Sequence, residues 1–462
     1  MSNVKKRVQM GRRDAETRIN DFKEVALGLT DEEAAYEASR CLHCPKQPCV
    51  AACPVGALIP EFMKAVKEKD MAKAYEIVRA KNRIPAISGR VCPQETLCED
   101  ECLWARAGQP IAIGAVERYI ADFALKNGLS KEIKVDERGS KKVAVVGSGP
   151  AGLTVAAEMV ALGHEVKVFE ALHESGGVVT YGIPEFRLPK KVVNQEVDSL
   201  KRQGVEFEHG VIIGRTIKVK DLFDDGYDAI FVGTGAGSPK LMGIPGENLN
   251  YIYSSNEFLT RINLLRAHSF PTYGTPVKVG ERVLIIGGGN TAMDSARTAL
   301  RMGAREVCIV YRRTRGELPA RRDEVLNAEE EGVRFLLLSS PVRYLGNDKG
   351  SVTSAELQAM ELGEPDASGR RSPRPVAGSF SVEHADTVVV AIGNRVNPLI
   401  QATTPGLATE GEEGLIWVDR TYETSITGLY AAGDVVLGEA TVIEAMGTGQ
   451  KAALSMQRKM NP

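Results

Sequence analysis

Seven of the chain's eight cysteines fall between Cys41 and Cys102, in two groups, and Cys308 stands apart. The first group is a C-x2-C-x4-C-x3-C-P run of Cys41, Cys44, Cys49 and Cys53 followed by Pro54, and the second is Cys92, Cys98 and Cys102. In a reducing compartment so many neighbouring thiols serve metal or redox chemistry rather than disulfides. Ferredoxin-like runs give three thiolates to one iron–sulfur cluster and the fourth, just before proline, to another. Cys41, Cys44 and Cys49 therefore begin one 4Fe–4S cluster and Cys53 belongs to a second. Structural zinc is the competing use, but the spacings are not those of paired zinc-ribbon knuckles. Seven thiols cannot fill eight ligand places, so one ligand is another residue. His43, Glu95, Glu99, Glu101 and Glu117 all qualify by type. Cys308, within Val307-Cys308-Ile309-Val310, reads as a small core hydrophobe.

The rest of the chain excludes several other classes. Its 462 residues suggest about three domains. With 43% hydrophobic and 26% charged residues it has enough apolar matter for a core, which rules out a disordered chain. A net charge of -2 gives no electrostatic basis for a nucleic-acid or anionic-membrane partner. No apolar run reaches the ~18 residues of a membrane span. The N-terminal MSNVKKRVQMGRRDAETR has basic residues but no apolar stretch behind them, so no signal peptide is expected. A soluble, cytoplasmic protein follows.

The stretches DEEAAYEASRCL and EFMKAVKEKDMAKAYEIVRAK carry apolar residues at helical spacing, so residues 1–138 are expected to form a helical domain holding the clusters. The polar KNGLSKEIKVDERGSKK then reads as a linker. From Lys142 the pattern becomes α/β and contains an internal repeat: two strand–glycine turn–helix units, near Val143 and Val283.

In the first unit the strand Val143–Val146 leads into Gly147-Ser-Gly149-Pro-Ala151-Gly152, a helix and a second strand ending at Glu170. Such glycines let the backbone approach a pyrophosphate at a helix N-terminus, and an acid at that distance binds a ribose 2′-OH. The second unit has Gly287-Gly288-Gly289-Asn290-Thr291-Ala292. Counting as from Gly147 to Glu170 lands on Val310, with no carboxylate, followed by Tyr311, Arg312 and Arg313, with Arg315 close behind. Arginines in place of the acid suit the 2′-phosphate of NADP(H). The site with the acid is then the FAD site. Gly433-Asp434, after a short strand, would place Asp434 on the ribityl chain, with a helix beginning at Thr441 near the isoalloxazine. The expected architecture is a helical iron–sulfur domain followed by two Rossmann-like domains, the NADPH domain (271–385) inserted between FAD-domain parts 139–270 and 386–462.

Both cysteine runs, the stretches Val146–Gly152 and Gly176–Pro184, and Gly287–Ala292, Tyr311–Arg313 and Ala432–Asp434 occur in the order found in one family. Over essentially its whole length the chain resembles the NADPH-dependent glutamate synthase small-subunit family. That family includes the large subunit of the electron-bifurcating NADH-dependent ferredoxin:NADP oxidoreductase and the N-terminal half of dihydropyrimidine dehydrogenase. The resemblance implies that Cys102 completes the cluster of Cys41, Cys44 and Cys49, and that Cys53, Cys92 and Cys98 hold the other. It places Glu117, after Pro110-Ile-Ala-Ile-Gly114, where the dihydropyrimidine dehydrogenase branch has a glutamine ligand. It also implies that Gly177, Arg187, Thr234 and Gly235 lie against FAD.

The expectation is an NADP(H)-dependent FAD and iron–sulfur oxidoreductase subunit. Hydride passes between the nucleotides with no acid–base side chain required, so no catalytic residue is expected. The partner would be a glutamate synthase large subunit, a flavin/2Fe–2S subunit or ferredoxin. The chain shows no glutamine amidotransferase nucleophile after Met1 and nothing that binds FMN. Two alternatives remain: the bifurcating subunit, and a redox scaffold or sensor that binds nucleotide without turnover.

Overall fold

The computed structural model describes residues 6–129, 141–366 and 369–461. Most of the expected linker lies outside these residues. The N-terminal part is helical, with a small antiparallel pair, Gly11–Arg12 and Ala26–Gly28, at its edge. Helix Asp31–Ser39 opens with a capping box between Thr30 and Glu33. The stretch 61–81 falls largely within two helices, Ile59–Lys67 and Met71–Arg79. Lys69 turns left-handed at φ 62° and the Asp70 side chain accepts from Lys73 N, restarting the helix. Helix Ile113–Asn127 completes the domain. Its core, from Phe62, Met63, Ile87 and Ile120, continues into Val179, Leu188, Val193, Ile443 and Met446 of the next unit.

Two five-stranded parallel sheets follow, built to one plan. The first runs, in spatial order, Leu429–Ala431, Ala229–Val232, Lys142–Val146, Glu165–Glu170, Glu206–His209. The second runs Ile252–Ser254, Thr387–Val390, Arg282–Ile286, Glu306–Tyr311, Arg334–Leu337. The repeat thus covers whole sheets, not only the glycine turns. The edge strand Leu429–Ala431 comes from the far end of the chain, so the second sheet is inserted within the first unit. The expected boundaries at 270/271 and 385/386 cut across that second sheet: Ile252–Ser254 and Thr387–Val390 both belong to it. Ile252–Ser254 is a short strand that runs straight into a helix with no glycine turn, so the sequence carries no marker there.

Both faces of each sheet are covered, which explains the nearly all-apolar strands. Cys308 is buried in the second sheet, as expected of a core hydrophobe. A three-stranded antiparallel sheet, Ser339–Gly346, Val352–Pro365 and Arg371–His384, is inserted before Thr387. No helix among the described residues is long and apolar enough to cross a membrane.

The three units are tied by buried charge. Glu331 accepts from Arg18 Nε at 2.7 Å, Arg297 at 2.9 Å and Arg301 at 2.7 Å. Arg187 meets Asp294 at 2.5 Å, and Arg297 also meets Glu324. Phe186 lies under the guanidinium groups of Arg297 and Arg301, 4.7 and 4.0 Å from ring centre.

Candidate functional site

In a sheet of this strand order, ligands bind beyond the carboxyl ends of the strands, where the order reverses. The first reversal lies between Lys142–Val146 and Ala229–Val232. There Gly147 N donates to Phe169 O at 2.8 Å and Gly233 N to Val146 O at 2.8 Å, holding the two turns together. A Cβ on Gly152 would sit 1.9 Å from Gly147 O, so only glycine allows this turn to fold onto the helix Pro150–Ala161. The first amide groups of that helix face the cleft and suit a pyrophosphate. Glu170 accepts from Ser148 N at 2.9 Å, Ser148 Oγ at 2.5 Å and Leu172 N at 2.8 Å. Its carboxylate is therefore held at the strand end, where a ribose would lie.

A long cleft opens here. Of the expected residues, Gly147, Gly149, Ala151, Glu170, Gly177, Arg187, Thr234, Gly235, Gly433, Asp434 and Thr441 line it, and so do Asn290 and Thr291 of the second glycine turn. Gly152, Gly287, Gly288, Gly289, Ala292, Arg312 and Arg313 are not among the residues that line it. The cleft is shared between the two nucleotide turns. Burial, with Glu439 and Glu444 nearby, pushes Asp434 up to about 7. Thr441 caps helix Val442–Met460 through a capping box with Glu444. Tyr181, Asp294 and Glu439 also line the cleft, and the sequence reading missed them. Asp294, four residues beyond Asn290 on one helix face, was legible only as a spacing.

The second turn repeats the first with one shift. Gly287 N donates to Val310 O at 3.0 Å, so Val310 corresponds to Phe169, and Tyr311, not Val310, stands where Glu170 does. The connection after the second helix is one residue longer, which residue counting could not detect. Tyr311 packs its ring against Gly288 and donates from its hydroxyl to Glu317 O at 2.7 Å. No carboxylate occupies the position. Arg312, next along, is exposed. Arg313 turns the other way: its Nε donates to Arg371 O at 2.7 Å and its terminal nitrogen meets Asp366 at 2.6 Å. It anchors the long hairpin and is buried.

The thiols separate into two sets. Cys41, Cys44, Cys49 and Cys102 line one apolar cavity, with Ile59, Met63, Trp104 and Ile113. Burial, reinforced by Cys41 and Cys102, pushes Cys49 up to about 11. Burial raises Cys53, Cys92 and Cys98 as well, and each also feels the charge of Glu117. Four thiols facing one another in an apolar cavity resist ionisation until a cation joins them, which fits an iron–sulfur cluster. Glu117 accepts from Ser88 Oγ at 2.8 Å and Asn82 Nδ2 at 3.1 Å, and burial raises it to about 7. Glu99 is committed to Arg7 at 2.7 Å and Gly114 N at 3.2 Å, and Glu95 to Arg321 at 3.2 Å. Val91 and Pro93, flanking Cys92, line the nucleotide cleft, so this thiol set adjoins it. Helix Val442–Met460 abuts the Cys53–Pro54 turn, where a Cβ on Gly447 would lie 2.5 Å from Pro54 O.

Comparison with known proteins agrees with this division into a helical module and a nucleotide-binding unit. Residues 18–129 match the family described as dihydropyrimidine dehydrogenase domain II, 4Fe-4S cluster, and residues 141–453 match pyridine nucleotide-disulphide oxidoreductase. The chain is 37% identical over 456 residues to the glutamate synthase [NADPH] small chain of Halomonas elongata, covering 96% of each. It is 35% identical to that of Escherichia coli, covering 97% of this chain and 96% of the other. The structure of Mycobacterium tuberculosis FprA in complex with NADPH shares the fold at TM-score 0.56 and 22% identity, over 69% of this chain and 85% of that one. An oxidoreductase unit with paired nucleotide turns and a helical 4Fe–4S module at its cleft places this chain in the NADPH-dependent glutamate synthase small-chain family.

Proposed function

We propose that this subunit moves electrons between NADP(H) and a partner protein through one FAD and two 4Fe–4S clusters. The observation that carries the reading is the single cleft lined by both glycine turns and by the residues flanking Cys92. When bound, the flavin would exchange hydride with the nicotinamide and single electrons with the clusters.

The chain's own residues orient and hold. Gly147, Gly149, Ala151 and Gly152 present backbone to the FAD pyrophosphate, Glu170 takes its ribose, and Asp434, with Thr441 beside it, faces the ribityl chain. Gly177, Arg187, Thr234 and Gly235 complete the wall. Gly287–Ala292 take the NADP(H) pyrophosphate, with Arg312 offering its guanidinium to the 2′-phosphate. Arg313 serves that site by holding the hairpin against it. Cys41, Cys44, Cys49 and Cys102 hold one cluster; Cys53, Cys92, Cys98 and Glu117 hold the other. The partner is a larger redox subunit or ferredoxin, and a reducing, cytoplasmic setting suits the thiol ligands.

Anaerobic mixing with NADPH tests this. Flavin absorbance should bleach rapidly, followed by reduced-cluster EPR signals. A flavin left oxidised by NADPH would overturn the reading and favour a non-catalytic scaffold.

A further inference from the structure

Arg321 is carried by the second nucleotide-binding unit, yet its side chain lies in the iron–sulfur domain. Its Nε faces Glu95 at 3.2 and 3.3 Å, one terminal nitrogen donates to Arg90 O at 3.2 Å, and the other donates to Gln94 Oε1 at 3.1 Å. All three partners belong to the segment that carries Cys92. Only 12% of the Arg321 side chain is exposed. The backbone of the same residue reaches the other way: Arg321 N donates to Asn290 Oδ1 at 2.9 Å, and Asn290 opens the helix after the second glycine turn and lines the cleft.

The contacts continue past Arg321 on the cluster side. Gln94 donates to Ser88 O at 3.5 Å and packs so closely on helix Ile113–Asn127 that a Cβ on Gly114 would lie 2.3 Å from its amide. Ser88 in turn donates from its hydroxyl to Glu117. One residue thus joins the nucleotide turn directly to the segment that carries Cys92 and, through Gln94 and Ser88, to Glu117. A buried guanidinium also places a positive charge beside that thiol set, and nearby net charge is one determinant of a cluster's potential.

We propose that Arg321 is a positioning residue that couples nucleotide occupancy at Asn290 to the reduction potential of the cluster held by Cys53, Cys92 and Cys98. Nucleotide on the second turn reorients Asn290, and the Arg321 backbone moves with it. The guanidinium then shifts against Glu95 and Gln94, changing the field at the cluster. The inference rests on the two-cluster reading above.

The test is an EPR-monitored redox titration of the holoprotein with and without NADP+, in wild type, Arg321→Gln, Arg321→Lys and Glu95→Gln. Wild type should show a midpoint for one cluster that moves on adding NADP+, while the other cluster stays fixed. Arg321→Gln should lower that midpoint, because reduction loses a stabilising positive charge, and should abolish the NADP+ response. Arg321→Lys should keep the midpoint closer to wild type. Glu95→Gln keeps the arginine but loosens its anchor, so it should weaken the response even if Arg321→Gln fails to fold. NADP+ affinity by calorimetry should change less than about threefold in each variant. A wild-type midpoint indifferent to NADP+, or a response that survives in both Arg321→Gln and Glu95→Gln, overturns the proposal. Absence of a second cluster signal in wild type would instead overturn the functional reading beneath it.

Discussion

Tyr311 occupies in the second sheet the register position that Glu170 occupies in the first, each one residue past the carbonyl that accepts from the leading glycine amide. The two positions do opposite work. Glu170 presents a carboxylate held by Ser148 and Leu172, whereas Tyr311 fills the space with a ring against Gly288, and the next residue, Arg312, is exposed. A carboxylate would repel a 2′-phosphate; a phenol ring does not.

Arg312→Ala should therefore weaken NADPH and hardly affect NADH. Loss of one charge-assisted contact costs about 1.5–3 kcal/mol, roughly ten- to a hundredfold in affinity. Stopped-flow flavin reduction with each nucleotide measures it. Equal loss with both would make Arg312 structural. Arg313→Ala should differ, releasing Asp366 and the Arg371 carbonyl and making the 339–384 sheet more susceptible to limited proteolysis.

Anaerobically purified protein should hold about eight iron and eight acid-labile sulfide per chain. Glu117→Ala should disturb one of two EPR signals and spare the other. About four iron in wild type, or zinc in its place, would count against the ligand sets given above.

Gly152→Val should abolish flavin retention, because the new side chain must enter space already taken by Gly147 O. Cluster iron should persist, since the cysteines of both sets lie in another unit. Flavin content after gel filtration and iron content on the same sample read the two effects separately.

Glu331 links the N-terminal segment to the second unit, and its titration gives a pH window. Burial raises its pKa, but hydrogen bonds and charge from Arg301 and Arg297 outweigh that and bring it down to about 2. A depressed carboxylate stabilises the fold above the ordinary glutamate range, and that stability is lost as pH falls from about 4.5 towards 2. Glu331→Gln should cost about 3–5 kcal/mol near neutrality, because three buried guanidinium groups lose their shared partner. Urea midpoints should show the same deficit at pH 8 and pH 5.5, with the deficit shrinking only below about pH 4.5. A deficit that varied between pH 8 and 5.5 would point to another titrating group.

The sequence by itself determined what is written locally. Thiol spacing, glycine turns after apolar strands, and the acid or its replacement at a strand end are short-range patterns with fixed stereochemical meaning, so the fold class and the turn residues of the cleft, Glu170 and Asp434 among them, could be read from them. It could not determine register across a connection whose length varies by one, which is why residue counting stopped at Val310 while the ladder brought Tyr311 to the place of Glu170. Nor could it show which strands close each sheet, because pairing between Ile252–Ser254 and Thr387–Val390 joins segments more than a hundred residues apart without a motif. The split of adjacent arginines, Arg312 to the surface and Arg313 into the hairpin, follows from alternation past a strand end and from Asp366 waiting across the fold. Only tertiary packing brings Arg321 to Glu95, since that contact depends on how two separately folded units meet.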